Sequence, residues 1–391
     1  MSERSYFDWN ATAPLRPQAR EAMSAALELC GNASSVHAPG RAARALIEKA
    51  RAEVAALVGG EAGNVIFTSG GTEANMLALT PAIEAAASKV PRARLLVSAI
   101  EHPSVRSGGR FSSVEELPVT AQGVLDRASL RQSLAKARQG TGEVLASVML
   151  ANNETGILQP IREVADIVHA AGGLLHVDAV QGPGRIACNI NDLGADLMTV
   201  SAHKIGGPQG AGALITRGDT HIYQPLIRGG GQERGSRAGT ENVAAIAGFG
   251  AAATACLAQL EAESNHMKSL RDRLESGLKS ATPAVAIIGE TVARLPNTTL
   301  FALTGIKADT AIIAFDLNGI AASAGAACSS GRVQASHVLA AMGLQPALVQ
   351  SAVRLSIGYS TTETDVENLL NAWNIVASPL SKKDAKKEIA A

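Results

Sequence analysis

Apolar residues along this chain fall into short solid runs, separated by longer segments in which they recur every three or four positions. The solid runs include "NVIFTSG", "RLLVSAI", "EVLASVML", "GLLHVDAV", "DLMTVSA" and "GALIT". Such a run, without polar alternation, reads as a strand buried on both faces. The periodic segments between them predict helices: "RAARALIEKARAEVAALV", "TEANMLALTPAIEAAAS", "SLRQSLAKA", and "IREVADIVHAAG", which closes on a glycine, a common helix stop. Strands alternating with helices predict an α/β fold, a mainly parallel sheet with helices on both faces.

After Gly239 the texture changes. "TENVAAIAGFGAAATACLAQLEAESNHMKSLRDRLESGLKS" is one long helical pattern. Beyond it, "NTTLFAL", "ADTAIIAFDL", "IAASAG", "ASHVLAAMG", "SAVRLSIG" and "ETDVENLLNAWNIV" predict a smaller α+β domain. The expected division is a large domain over 16–262, a small domain formed from 1–15 and 263–378, and a charged, flexible tail over 379–391. A chain of 391 residues exceeds one typical core, which fits two domains.

Composition narrows the function. Residues are 46% hydrophobic and 18% charged, enough for a buried core, and the formal net charge is zero. Neither nucleic acid nor an anionic membrane is expected as a partner. Aromatics at 3% also argue against base-stacking platforms. "MSERSYFDWN" lacks the basic start and apolar run of a signal peptide, and no apolar run reads as a membrane span. The expectation is a soluble cytoplasmic protein. Cys30, Cys188, Cys256 and Cys328 have no paired spacing, so reduced thiols are expected, with neither a disulfide framework nor a metal site.

In α/β sheets, ligands bind at the carboxyl ends of the strands. Five consecutive strand ends here carry polar groups. "FTSGGTEAN" places Ser69, Gly70, Gly71 and Thr72 between a strand and a helix, where backbone amides and a hydroxyl suit an anion, and where Thr72 would equally serve as a helix cap. "SAIEHPSV" supplies His102, and "MLANNETGILQP" supplies Asn152, Asn153 and Glu154. "LLHVDAVQ" supplies Asp178 and Gln181, an acid being costly there without a partner. "TVSAHK" supplies Ser201, His203 and Lys204. Singly, each has a structural reading: Asn-rich turns form for conformational reasons, and a lone histidine is commonly structural. Together they offer a phosphate cradle, an acid, a flat histidine and a lysine. A pyridoxal 5′-phosphate site needs those parts: a lysine for the aldehyde, a carboxylate for the pyridine nitrogen, amides and hydroxyls for the phosphate.

These motifs, with "GNASSVHAPGRAARALIEKAR", "EHPSV", "NNETGILQPI", "HVDAVQGPGRI", "SAHKIGGPQGAGAL", "GGGQERGSRAGTENV", "SAGAACSSG", "SHVLAAMG" and "VRLSIG", run nearly end to end. The chain resembles the cysteine desulfurases of the NifS/IscS type, class V aminotransferase relatives with the fold-type I pyridoxal phosphate architecture. The resemblance implies roles. Lys204 is the Schiff-base lysine, and His102 stacks on the cofactor ring and assists proton transfer. Asp178 partners the pyridine nitrogen and Gln181 the phenolic oxygen. Gly71, Thr72, Ser201 and His203 hold the phosphate, joined by Thr240 of the neighbouring subunit in a homodimer. Asn153 and Arg354 clamp the substrate, the planar fork of arginine suiting a carboxylate. Cys328 takes sulfur from L-cysteine as a persulfide, leaves L-alanine, and passes the sulfur to an acceptor protein such as an iron–sulfur scaffold. Nitrogenase cofactor assembly, general iron–sulfur assembly and tRNA thiolation all remain open as destinations.

Three departures stand out. The family's phosphate turn often reads "SGATES" and here reads "SGGTEA", which keeps Thr72. The cysteine loop is commonly "GSAC" and here is "GAAC", so Ala326 removes a hydroxyl beside the nucleophile. The terminal "SKKDAKKEIAA" does not resemble a scaffold-docking terminus. The rival readings are a selenocysteine lyase or aminotransferase on the same scaffold, and a regulatory protein that keeps the fold without the chemistry.

Overall fold

The computed structural model describes residues 4–84, 91–137, 143–324 and 336–388. Seven strands form the main sheet: β1 (Val65–Thr68), β2 (Arg92–Ser98), β3 (Val114–Leu117), β4 (Glu143–Ser147), β5 (Leu174–Asp178), β6 (Leu197–Ser201) and β7 (Gly212–Thr216). Their order is β1-β7-β6-β5-β4-β2-β3. All neighbours run parallel except β7, which is antiparallel to both β1 and β6. The sheet is therefore mainly parallel, as expected. Every residue of β1, β5, β6 and β7 is buried, which explains why their sequences are largely apolar without polar alternation.

Helices α1 (Pro17–Leu27), α2 (Ala38–Leu57), α3 (Gly71–Ala78), α4 (Arg127–Ala137), α5 (Ile161–Ala170) and α6 (Val243–Ala281) accompany this sheet. One core joins α2, α4, α5 and α6 to the sheet through residues such as Val54, Leu130, Val164, Phe249 and Val177. A second core, with Leu77, Leu95, Leu145 and Leu214, packs α3 on the other face. The predicted helix from Thr72 to Ser88 is shorter than expected. It stops at Ala78, ahead of Pro81, whose ring and missing N–H oppose continuation, and Ile83–Glu84 instead pairs antiparallel with His221–Ile222.

Helix α6 corrects another expectation. Its apolar part has a mean hydropathy of 1.7, long and apolar enough to cross a membrane by length and composition alone. Ile246, Phe249, Ala252, Ala253 and Cys256 are instead buried in the main core, where α6 packs on α1 and α2.

The smaller sheet orders β8 (Ala286–Ile287), β9 (Thr298–Ala302), β11 (Ala352–Ser356) and β10 (Ser323–Ala324), all antiparallel. Its core brings Leu270 and Leu274 of α6 together with α7 (Ala308–Leu317) and α8 (Glu363–Glu388), around Trp373, whose ring meets Phe301 edge-on at 5.1 Å. Helix α8 continues through Glu388, over a segment rich in the strong helix formers Lys, Ala and Glu. The N-terminal stretch belongs to this unit: Ser5–Tyr6 pairs with Ile320–Ala321, Asp8 bridges to Ser356, and Phe7 joins the core. From there Asn10 and Ala11 reach back to the main sheet.

Candidate active site

A cavity of about 200 Å³ opens at the carboxyl ends of the main-sheet strands. The predicted residues Gly71, Thr72, His102, Asn153, Asp178, Gln181, Ser201, His203 and Lys204 all line it. They come from five strand ends far apart in sequence, so the parallel sheet is what assembles them.

Asp178 closes β5 and is buried. Its Oδ2 accepts a hydrogen bond from Asn75 Nδ2 at 2.9 Å, and its Oδ1 accepts one from the Val180 amide at 3.1 Å. A buried carboxylate with only neutral donors retains strong demand for a cation or an N–H⁺. The pyridine nitrogen of the expected cofactor would meet that demand.

His102 caps the short helix Pro103–Arg106. Its Nδ1 accepts the Ser104 amide at 3.2 Å and lies 2.8 Å from Ser104 Oγ. An accepting Nδ1 leaves the neutral ring's proton on Nε2. Burial lowers its pKa against the pull of Asp178, and Lys204 lowers it further, so the ring is neutral near pH 7. His203 is driven down to about 4 by burial and by the Lys204 and Arg185 cations, and its Nδ1 lies 3.2 Å from Thr12 Oγ1.

Lys204 ends the tight turn that follows β6. Its Nζ donates to the carbonyls of Asn10 at 2.5 Å and Ala11 at 2.7 Å. Gln181 Nε2 donates to the same Asn10 carbonyl at 3.0 Å. One amide hydrogen of Gln181 is therefore left for a ligand.

The α3 end of the cavity fits a phosphate. Ser201 Oγ is buried and has no hydrogen-bond partner among the described residues. It faces Gly71, where an added Cβ would lie 3.5 Å from Ser201 Cβ and 3.0 Å from Val180 Cγ2. Glycine keeps that approach open beside the helix amides, and the orphaned hydroxyl awaits an acceptor.

Two predicted residues lie outside the cavity lining. Arg354, central in β11, is buried, donating to Asp8 Oδ1 at 2.6 Å and to the Asn153 carbonyl at 3.0 Å. It stands behind Asn153, with its Nε buried and without a partner among the described residues. Thr240 is exposed, ahead of α6. Cys328 and Ala326 lie outside the described residues. Cys188 and Cys256 are buried thiols whose pKa is raised by burial to about 12 and about 11, which suits inert core residues. Cys30 is exposed, and all three are unpaired.

The structure adds Asn10, Asn75 and Ser104 to the lining. Asn75 follows Thr72 by three residues on α3, so helical spacing from the cradle would have found it. Ser104 follows His102 inside the turn that His102 caps. Nothing local marks Asn10, whose position depends on the N-terminal stretch packing against the smaller sheet.

Residues 5–369 match the aminotransferase class-V family. The chain is 39% identical to a cysteine desulfurase of Cereibacter sphaeroides, over 94% of each chain. It is 37% identical to the cysteine desulfurase IscS of Dictyoglomus turgidum, over 97% of this chain and 96% of the relative. The NifS-like protein of Rickettsia africae ESF-5 superposes with a TM-score of 0.86 at 36% identity, covering 96% of this chain and all of that one. The chain belongs to the aminotransferase class-V family and, within it, to the cysteine desulfurases of the NifS/IscS type.

Proposed function

We propose that this cysteine desulfurase works with pyridoxal 5′-phosphate seated in the cavity between β5, β6 and α3. The observation that carries the reading is the buried Ser201 Oγ, without a hydrogen-bond partner among the described residues, beside the head of α3 in the cavity that the buried Asp178 carboxylate and Lys204 also line. Lys204 would hold the aldehyde, Asp178 the pyridine nitrogen, and Gln181 the phenolic oxygen. Gly71, Thr72, Ser201 and His203 would hold the phosphate, completed by Thr240 of a second copy in a homodimer. When bound, the cofactor supplies an electron sink that stabilises charge at the substrate α-carbon.

The chain's own groups divide the remaining work. Asn153 and Arg354 orient the L-cysteine carboxylate. Lys204 Nζ takes the α-proton. His102, which lines the same cavity and accepts the Ser104 amide at Nδ1, would carry a proton at Nε2 for the leaving sulfur or the product. Cys328 takes the sulfur, so that L-cysteine and one thiol give L-alanine and one persulfide, with atoms and electrons in balance. A protein acceptor removes that sulfur for iron–sulfur or other sulfur-cofactor assembly, nitrogenase assembly among the possible routes. Unpaired Cys30, Cys188 and Cys256 support a reducing, cytoplasmic setting.

The test is optical. Purified protein supplied with pyridoxal phosphate should show a visible absorption band that Lys204→Ala abolishes while the fold, read by circular dichroism, persists. A Lys204→Ala protein with an unchanged band would overturn this assignment.

A further inference from the structure

Glu73 sits in the first turn of α3, immediately after Thr72. Its Oε2 accepts the Ser69 amide at 2.8 Å, closing the turn that leads into the helix. A carboxylate beside a phosphate cradle has the wrong sign for its ligand. Arg237 answers it: its Nε donates to Glu73 Oε1 at 2.9 Å, with Nη2 3.4 Å from Oε2. Both side chains are largely shielded, at 22% exposure for Arg237 and 12% for Glu73. Burial works to raise the Glu73 pKa, but the bonds from Arg237 and Ser69 outweigh it and keep the carboxyl ionised.

Arg237 belongs to a segment tied down a second time. Glu233, four residues earlier, is buried and accepts from Arg51 Nη1 at 2.6 Å, Arg51 Nη2 at 2.9 Å and the Phe67 amide of β1 at 2.9 Å. Glu233 and Arg234 take left-handed backbone angles, with φ of 47° and 55°, which cost energy in non-glycine residues. The ion pair with Arg51 compensates that strain. Gly239 N–H then bonds Gln232 Oε1 at 3.1 Å, folding the segment onto itself just ahead of Thr240. One segment is thus pinned to both elements, β1 and α3, whose junction forms the cradle.

We propose that Arg237 is a positioning residue for the cofactor phosphate. It neutralises Glu73 and locks the head of α3 to the segment that presents Thr240. The inference rests on the pyridoxal phosphate reading of the cavity and extends it to a residue that does not touch the ligand.

The test titrates pyridoxal phosphate, and separately pyridoxal, into full-length apoprotein, following the visible band and fluorescence quenching. Arg237→Met should weaken pyridoxal phosphate binding about tenfold, the scale of one charge-assisted bond. Pyridoxal, lacking the phosphate, should lose less than about twofold. In a Glu73→Gln background, where glutamine still accepts the Ser69 amide without the charge, Arg237→Met should also change binding by less than about twofold. Equal losses in both backgrounds, equal losses for both ligands, or unchanged phosphate affinity in Arg237→Met would each overturn the proposal while leaving the cofactor assignment intact. Wild-type protein that takes up no pyridoxal phosphate would overturn both.

Discussion

Asn75 Nδ2 bridges Asp178 Oδ2 and Ser104 Oγ, each at 2.9 Å. Ser104 in turn lies 2.8 Å from His102 Nδ1, so one amide on α3 connects Asp178 to His102 across the cavity lining. Truncation to Asn75→Ala leaves a buried carboxylate short of a donor and frees Ser104 to rotate. We expect a loss of about 1–3 kcal/mol in stability, the cost of unmade buried hydrogen bonds. The turnover number should fall while KM for L-cysteine moves little, because neither group binds the substrate carboxylate. Urea denaturation and steady-state kinetics on the same samples check both; an unchanged turnover number would exclude the bridge from catalysis.

Asn10 holds the lysine from the far end of the chain. Its side chain donates to the Asn153 carbonyl at 3.1 Å and to Thr298 Oγ1 at 2.9 Å, and accepts from Asn297 Nδ2 at 3.0 Å. These bonds fix the carbonyls that receive Lys204 Nζ. Asn10→Ala should therefore destabilise the protein by about 1–3 kcal/mol and slow turnover. The visible band should remain, since Lys204 itself is intact. Thermal melting, absorbance and a turnover assay test the three statements together.

Arg354 presents a fork already braced by Asp8 Oδ1 and the Asn153 carbonyl. A lysine lacks the planar geometry to satisfy both and still meet a carboxylate. Arg354→Lys should raise KM for L-cysteine roughly 10- to 100-fold, the worth of one charge-assisted bond. The turnover number at saturation should stay within about threefold of wild type. A fall in turnover with unchanged KM would assign Arg354 to the chemical step instead.

Glu101 gives a signature in stability against pH. Burial raises its carboxyl to about 8; bonds from Ser98 Oγ and the Met149 amide pull it back only in part, and the charge of Asp178 adds to the rise. Glu154, buried beside Ser336, is raised to about 7 by burial, against the pull of Ser336 and Arg354. Between the ordinary carboxyl range and these values the folded chain keeps protons that the unfolded chain has released. Stability contributed by each group is thus full below the unfolded pKa and is lost as pH rises through the folded one. Glu101→Gln imitates the protonated form, so its stability relative to wild type should improve from pH 5 to pH 8, by up to about 1.4 kcal/mol per pH unit. Urea midpoints at a series of pH values test this; a constant difference would show that Glu101 is ionised in the fold.

Much of the site was legible because a parallel sheet places its chemistry at strand ends. His102, Asp178 and Lys204 each lie at or just past the end of a largely apolar run, and that local pattern sufficed to bring them forward. Strand direction was not legible: "GALIT" reads like its parallel neighbours, yet β7 runs antiparallel. The length of α3 was misjudged because the Ala- and Leu-rich pattern continues past Pro81, and the proline's steric effect wins over propensity. The apolar half of α6 reads as part of one long helix, but its membrane-compatible length and its cover by α1 and α2 emerge only from the fold. Asn10 and the Asp8–Arg354 pair could not be found locally, since each depends on residues hundreds of positions apart meeting where the N-terminal stretch lies against the smaller sheet.

The central claim is that Cys328 receives the sulfur of L-cysteine on an enzyme carrying pyridoxal phosphate at Lys204. A single turnover of the loaded protein with L-cysteine, following L-alanine and protein-bound sulfane sulfur in wild type and Cys328→Ala, tests it most directly. The account predicts stoichiometric alanine with a persulfide mapped to Cys328, both absent from the variant. Alanine formed at the wild-type rate by Cys328→Ala, or sulfane sulfur mapped to Cys30, would contradict it.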